Sequence, residues 1–196
     1  MYRRRVFLLA GLAFALTVSA AHAGTIGAGE AAAESVQCAD AINRAARTSG
    51  VPAALLMALA PTESGLPRAH GRGPVYPWPW TLNTNGSGSF YFRTRVAAEK
   101  HLNSLIAAGI DNIDIGCMQV NWHWHGTAFA SPVAAINPVL NTGYAAGLLR
   151  EYKLKTGSWA GAVGLYHSHN PALAEVYRCR VAHALQPKTV LKNCAS

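Results

Sequence analysis

The stretch from residue 51 to residue 65, Val-Pro-Ala-Ala-Leu-Leu-Met-Ala-Leu-Ala-Pro-Thr-Glu-Ser-Gly, constrains this chain more than any other. It reads as a short buried helix. Pro52 suits a first helical position, where the missing N–H costs nothing. Gly65 suits the residue just past the end, which often needs positive φ. Leu56, Leu59 and Ala60 share one face, at spacings i, i+3 and i+4. Position i+7 on that face is Glu63. A carboxyl group on an apolar face, at the negative end of a helix, is held above its ordinary pKa by both surroundings. A carboxylic acid still protonated near neutral pH can serve as a general acid. The same spacing also allows a frayed helix end with Glu63 in water. Pro61, two residues earlier, removes an N–H bond to the Met57 carbonyl and kinks the helix, which can aim Glu63.

Around this stretch the rest of the chain reads as mostly helix, with one small β element. Gly24 to Ala33 is rich in Gly and Ala, and residues 24–34 are expected to form a flexible leader. Ser35 can cap a helix to about Ser49, with Ala41, Ile42 and Ala45 on one face and Gly50 past its end. Residues 67–89 hold Pro67, Pro74, Pro77 and Pro79 together with Tyr76, Trp78 and Trp80. Within them Asn85-Gly86, flanked by Trp80-Thr81-Leu82 and Phe90-Tyr91-Phe92, predicts a β-hairpin. The aromatics there form either a satellite core or a stacking wall for sugar rings. A helix follows from Arg95 to Ala108, with Val96, Leu102, Leu105 and Ile106 inward and Gly109 ending it. Residues 112–121 alternate like a strand and then break into Trp122-His123-Trp124-His125-Gly126. Asn137-Pro138 opens a long helix to about Thr156, stopped by Gly157. Ser158 caps another from Trp159 to about Tyr166, and Asn170-Pro171 opens a last one to about Leu185. No internal repeat or interdomain linker divides the chain, so residues 35–196 are expected to form one domain.

The N-terminus reads as an export signal over residues 1–23. Arg3, Arg4 and Arg5 precede an apolar run from Val6 to Ser19, too short to span a bilayer comfortably, and Ala21-His22-Ala23 is a small-x-small cleavage site. An uncleaved anchor is the alternative. The first cysteine, Cys38, lies too far on for a lipoprotein. All four cysteines, Cys38, Cys117, Cys179 and Cys194, remain after cleavage. An even count in an exported chain favours disulfides, with three connectivities open. The closeness of Cys179 and Cys194 favours pairing them, which leaves Cys38 with Cys117. No cysteine nucleophile is expected in an oxidising compartment. Three of the 17 basic residues belong to the signal, so the mature balance is 14 against 9, or +5. The charges are scattered rather than clustered on one face, which argues against nucleic acid. A mild basic excess suits an anionic polymer surface.

Three separated motifs resemble one family. Glu63-Ser64-Gly65 resembles the Glu-Ser motif of the SLT-type lytic transglycosylases. Gly116-Cys117-Met118-Gln119 is similar to their Gly-Leu-Met-Gln motif, with Cys for Leu. Leu165-Tyr166-His167-Ser168 is similar to their Ala-Tyr-Asn motif, and the helix around Asn141 to Leu149 resembles a family helix. Three motifs in order, behind a signal peptide, carry more weight than any one. The resemblance implies a mainly α, α+β lysozyme-like fold. It also implies a periplasmic enzyme that cleaves the β-1,4 bond between N-acetylmuramic acid and N-acetylglucosamine without water, leaving a 1,6-anhydro ring. It implies Glu63 as the single acid and base, with the substrate's acetamido group replacing a second carboxylate. It further implies that Ser64 supports the substrate or the Glu, that Met118, Gln119 and Asn121 line the glycan groove, and that Tyr166 holds the Glu63 carboxyl. His167 replaces the usual Asn, so the groove contact there changes or becomes pH-dependent. No cofactor or metal is implied. The expected partners are the glycan strands and, by analogy, an envelope-spanning secretion or flagellar assembly, with the protein acting as a monomer.

Scarcity of carboxylates agrees with a one-acid route. Ordinary glycosidases need two carboxylates flanking the bond, and only Asp111 and Asp114 lie near a motif, where they read best as a turn and the start of a strand. Three rival readings remain. His123-x-His125 and His167-x-His169, if on strands, could each chelate zinc in a metal hydrolase. A plain muramidase, or a wall-binding module without chemistry, would keep the same groove.

Overall fold

The computed structural model describes residues 28–66, 75–84 and 88–186. The expected signal peptide, the Asn85-Gly86 turn and Cys194 lie outside the described residues. The fold is mainly helical with one small antiparallel sheet, as the sequence predicts. Helix α1 (Ala28–Ser49) is longer than expected, so the leader from Ala28 onward is helix and Ser35 lies inside it rather than capping it. The physical reason is composition, because Ala31-Ala32-Ala33-Glu34 has high helix propensity. Glu34 then gains a partner, accepting a bond of 3.0 Å from the Trp80 indole N–H.

Helix α2 (Ala53–Ser64) carries Pro61 inside it and buries Leu55, Leu56, Leu59 and Ala60. Gly65 does not take positive φ; it is extended, with φ −61°. Close approach explains the glycine, since a Cβ there would lie 2.2 Å from the Pro61 carbonyl oxygen and 2.3 Å from Val75 Cγ1. Strands β1 (Thr81–Thr84) and β2 (Gly88–Tyr91) form the hairpin, with Thr81 opposite Tyr91 and Thr84 opposite Gly88. Helix α3 (Arg95–Ala107) is capped by the Thr94 hydroxyl and buries Ala98 and Leu102. Val96 faces outward, 73% exposed, against expectation. It sits in the first turn of α3, beside the Thr94 cap.

Strands β3 (Ile113–Ile115) and β4 (Val120–Asn121) complete a sheet ordered β2-β1-β3-β4. A short helix α4 (Trp122–His125) follows, then a single 3-10 turn (Gly126–Ala128) and α5 (Pro132–Ala135). Helices α6 (Pro138–Thr156), α7 (Trp159–His167) and α8 (Pro171–Leu185) start at Asn137, Ser158 and Asn170, whose side-chain oxygens accept from backbone N–H groups of the first turn. Gly157 ends α6 at φ 74°, as read from the sequence.

Two apolar clusters hold these elements. One gathers Cys38, Ile42, Leu56, Leu59, Ala146, Leu149, Val163 and Tyr177 from α1, α2, α6, α7 and α8. The other gathers Trp78, Trp80, Leu82, Leu102, Ile113, Ile115 and Ile136 beneath the sheet. Trp78 and Trp80 are thus core residues, so of the two readings of these aromatics the satellite core holds for both. The disulfide Cys38–Cys117 joins α1 to the β3–β4 turn across 79 residues. Cys179 is disulfide-bonded too. Among the described residues no helix is long and apolar enough to cross a membrane.

Candidate active site

Residues 116–119, Gly-Cys-Met-Gln, turn β3 back into β4 and sit where four helices converge. Gly116 (φ 75°) and Gln119 (φ 47°) both take left-handed backbone, unusual for a glutamine and confined to sites that surroundings hold firmly. Helix α1 holds the turn through the Cys38–Cys117 disulfide. The Ser64 hydroxyl, at the end of α2, lies 2.8 Å from the Cys117 carbonyl and 3.0 Å from that of Ala60. Asn141 of α6 donates to the Ile115 and Ala135 carbonyls (2.8 and 3.0 Å) and accepts from the Met118 N–H (2.9 Å). Tyr166 of α7 donates to the Met118 carbonyl at 2.7 Å. Each group satisfies a buried backbone polar atom that would otherwise cost about 1–3 kcal/mol.

This arrangement corrects three expected roles. Ser64 is fully buried and ties α2 to the turn; it does not face the groove. Met118 is likewise fully buried in the helical core. Tyr166 lines the groove but gives its hydroxyl to the turn, not to Glu63. The residue that holds Glu63 is Tyr177 of α8, whose hydroxyl donates to Glu63 Oε1. Its signal was in the sequence. Tyr177 falls between the buried Ala174 and Val181 at helical spacing, and a buried tyrosine hydroxyl needs a partner.

Glu63, Gln119, Asn121, Tyr166 and His167 do meet along one groove of about 760 Å³ between the sheet and the helices. Gln119 turns its amide onto the Gly116 carbonyl (2.9 Å). His167 lays its ring parallel to the Tyr177 ring, centroids 4.3 Å apart. Burial raises the Glu63 pKa from 4.5 to about 7, and the charge of Asp114 adds to this. The Tyr177 hydrogen bond and Arg180 pull the other way without cancelling it. Burial keeps the Tyr177 phenol neutral, so it remains a donor. Burial and Arg180 lower the His167 pKa, against the pull of Asp114. Near neutral pH the groove therefore holds a carboxyl poised between acid and base, beside a neutral imidazole.

Asp114 also lines the groove, whereas Asp111 is exposed and paired with His123 at 2.8 Å. Burial raises the Asp114 pKa, opposed by a 2.8 Å bond from the Asn121 amide. The histidine pairs do not form the strand arrangement that zinc would need. His123 and His125 lie on α4, where residues two apart diverge, and His125 Nδ1 is 2.9 Å from the Tyr144 hydroxyl. Among the described residues no three His, Cys, Asp or Glu side chains are grouped to hold a metal. No protein-family model, curated protein or solved structure matches the chain.

Proposed function

We infer that the protein is a peptidoglycan lytic transglycosylase of the SLT type, with Glu63 as its single acid and base. The observation that carries this reading is Glu63 itself, a half-buried carboxyl with a pKa of about 7 in a groove of about 760 Å³. The resemblance of three sequence motifs supports it, and those motifs converge on one turn and one groove. In the reaction, protonated Glu63 gives its proton to the glycosidic oxygen as the bond to C1 breaks. The substrate's acetamido oxygen covers the cation at C1. The Glu63 carboxylate, steadied by the Tyr177 hydroxyl, then takes the proton of the 6-hydroxyl, whose oxygen closes on C1 to form the anhydro ring. Each step uses the protonation state that the previous one leaves.

A second reading, a muramidase, is favoured by one observation, the presence of Asp114 in the same groove. Asp114, however, already accepts a 2.8 Å bond from the Asn121 amide on the neighbouring strand, which occupies one of its oxygens. Wall clearing by single variants tests the assignment. Glu63→Gln should lose about 10³-fold, on the scale of general acid catalysis, while still sedimenting with peptidoglycan. Asp114→Asn should lose less than about tenfold. Equal losses would favour the muramidase, and an active Glu63→Gln would sink both.

An exported chain fits this role, given the disulfide between Cys38 and Cys117. The site of action would be the periplasm. By analogy only, local opening of the wall would serve an envelope-spanning secretion or flagellar assembly, and co-purification without any envelope partner would count against that.

A further inference from the structure

A second groove, of about 260 Å³, lies between α2, α7 and α8 and shares no lining residue with the one that holds Glu63. Leu55 of α2, Trp159 and Val163 of α7, and Val181 and Leu185 of α8 line it. Leu55, Val163 and Val181 are buried, whereas Leu185 is 40% exposed. Glu175 and Arg178 are the charged groups among its described lining residues, and they pair with each other. An occupant is therefore held by apolar contact and not by charge.

Cys179 lines the same groove and is disulfide-bonded. The chain has four cysteines, and Cys38 and Cys117 are bonded to each other. Cys194 is the one that remains. It belongs to residues 187–196, which follow α8 and lie outside the described residues. Before that segment begins, the chain has already left the helix. Gln186 has φ −137° and ψ 74°, and Pro187 cannot continue the hydrogen-bond ladder. Cys179 lies seven residues before Gln186, about 10 Å back along the helix axis. A disulfide needs its two Cα atoms within about 7 Å of each other. The eight residues from Pro187 to Cys194 span at most about 29 Å. That is enough to turn and run back along α8, past Leu185 and Val181, which lie between the two tether points. The returning stretch carries two large apolar side chains, Val190 and Leu191, flanked by Lys188 and Lys192.

We propose that residues 187–194 fold back on α8 as a strap, tied by a Cys179–Cys194 disulfide, and that Val190 and Leu191 fill the groove between α7 and α8. The strap covers Trp159 and Leu185. It braces α8, the helix that carries Tyr177, against α7. It stands apart from the proton chemistry at Glu63, so it can fail without touching that reading.

The test is photo-crosslinking of the oxidised mature protein carrying Leu191→p-benzoylphenylalanine, read by peptide mass spectrometry of the monomer band. The cross-link should fall on α7, at Trp159 to Val163, with Cys179 and Cys194 recovered in one disulfide-linked peptide pair. Thermal unfolding gives a second readout. Leu191→Asp, with the disulfide intact, should lower Tm by about 3–6 °C, the scale of one lost apolar side chain in a protein of this size. Lys192→Asp should stay within about 2 °C of wild type, as a surface change does. Cross-links confined to a dimer band would give the groove to a second copy and overturn the strap. A monomer without any α7 cross-link overturns it too, as does a Leu191→Asp variant with the Tm of wild type. Should Leu191→Asp not fold, the cross-link alone decides.

Discussion

Glu63 lies where three influences meet: the carboxyl end of α2, the apolar packing of that helix, and the charge of Asp114 across the groove. Burial dominates, and it carries a consequence for stability. The folded pKa is raised, so the folded state binds the proton more tightly than the unfolded chain does. The contribution to stability is fully present below pH 4.5 and is lost as pH rises through about 7. The whole effect is at most about 3 kcal/mol, reduced to the extent that the groove wets the carboxyl. Glu63→Gln keeps an oxygen for the Tyr177 hydroxyl and cannot ionise. Urea unfolding of the two proteins at pH 4.5, 6 and 8 should show the wild type losing ground to the variant as pH rises. Parallel curves would mean that Glu63 is solvated in the folded state.

Among the elements, the turn at residues 116–119 links fold to site. Motif positions that read as groove contacts proved to be its fastenings: Ser64, Met118 and the Tyr166 hydroxyl all serve the turn, and so place Gln119 in the groove. Asn141 adds three more bonds, to the Ile115 and Ala135 carbonyls and the Met118 N–H. Asn141→Ala should unfold about 2–4 kcal/mol more easily, because it leaves buried carbonyls and the Met118 N–H without partners. It should also lower wall clearing, since Gln119 would lose its left-handed hold. Chemical denaturation gives the first quantity and turbidity the second; a stability change under about 0.5 kcal/mol would show that the turn holds without α6. Much at this scale was legible in the sequence. Asn137, Ser158 and Asn170 announced their helices because a short polar side chain before the first turn satisfies orphan N–H groups. Gly65 was misjudged because contact with Pro61 and Val75, not φ, selects glycine there. Tertiary contacts of that kind leave no local signature.

The molecule as a whole is a groove between two apolar clusters, one helical and one beneath the sheet, with Glu63 on the first wall and Asn83, Asp114 and Asn121, side by side across the sheet, on the second. The class of fold and the raised pKa of Glu63 could be read from periodicity and spacing. That Tyr177 is buried was legible from its helical spacing, but not which group it meets, because it lies 114 residues from Glu63 and joins it only when α8 packs on α2. The tryptophans divided too: Trp78 and Trp80 went into the core, one of the two places offered for them, and Trp124 lines the groove. Mass spectrometry of the fragments that the mature protein releases from purified peptidoglycan tests the central claim most directly. A single acid working with the substrate's own 6-hydroxyl predicts disaccharide-peptides one water lighter than hydrolytic products, each ending in a 1,6-anhydro ring. Fragments with free reducing ends would contradict it, and would make Asp114 the second catalytic group.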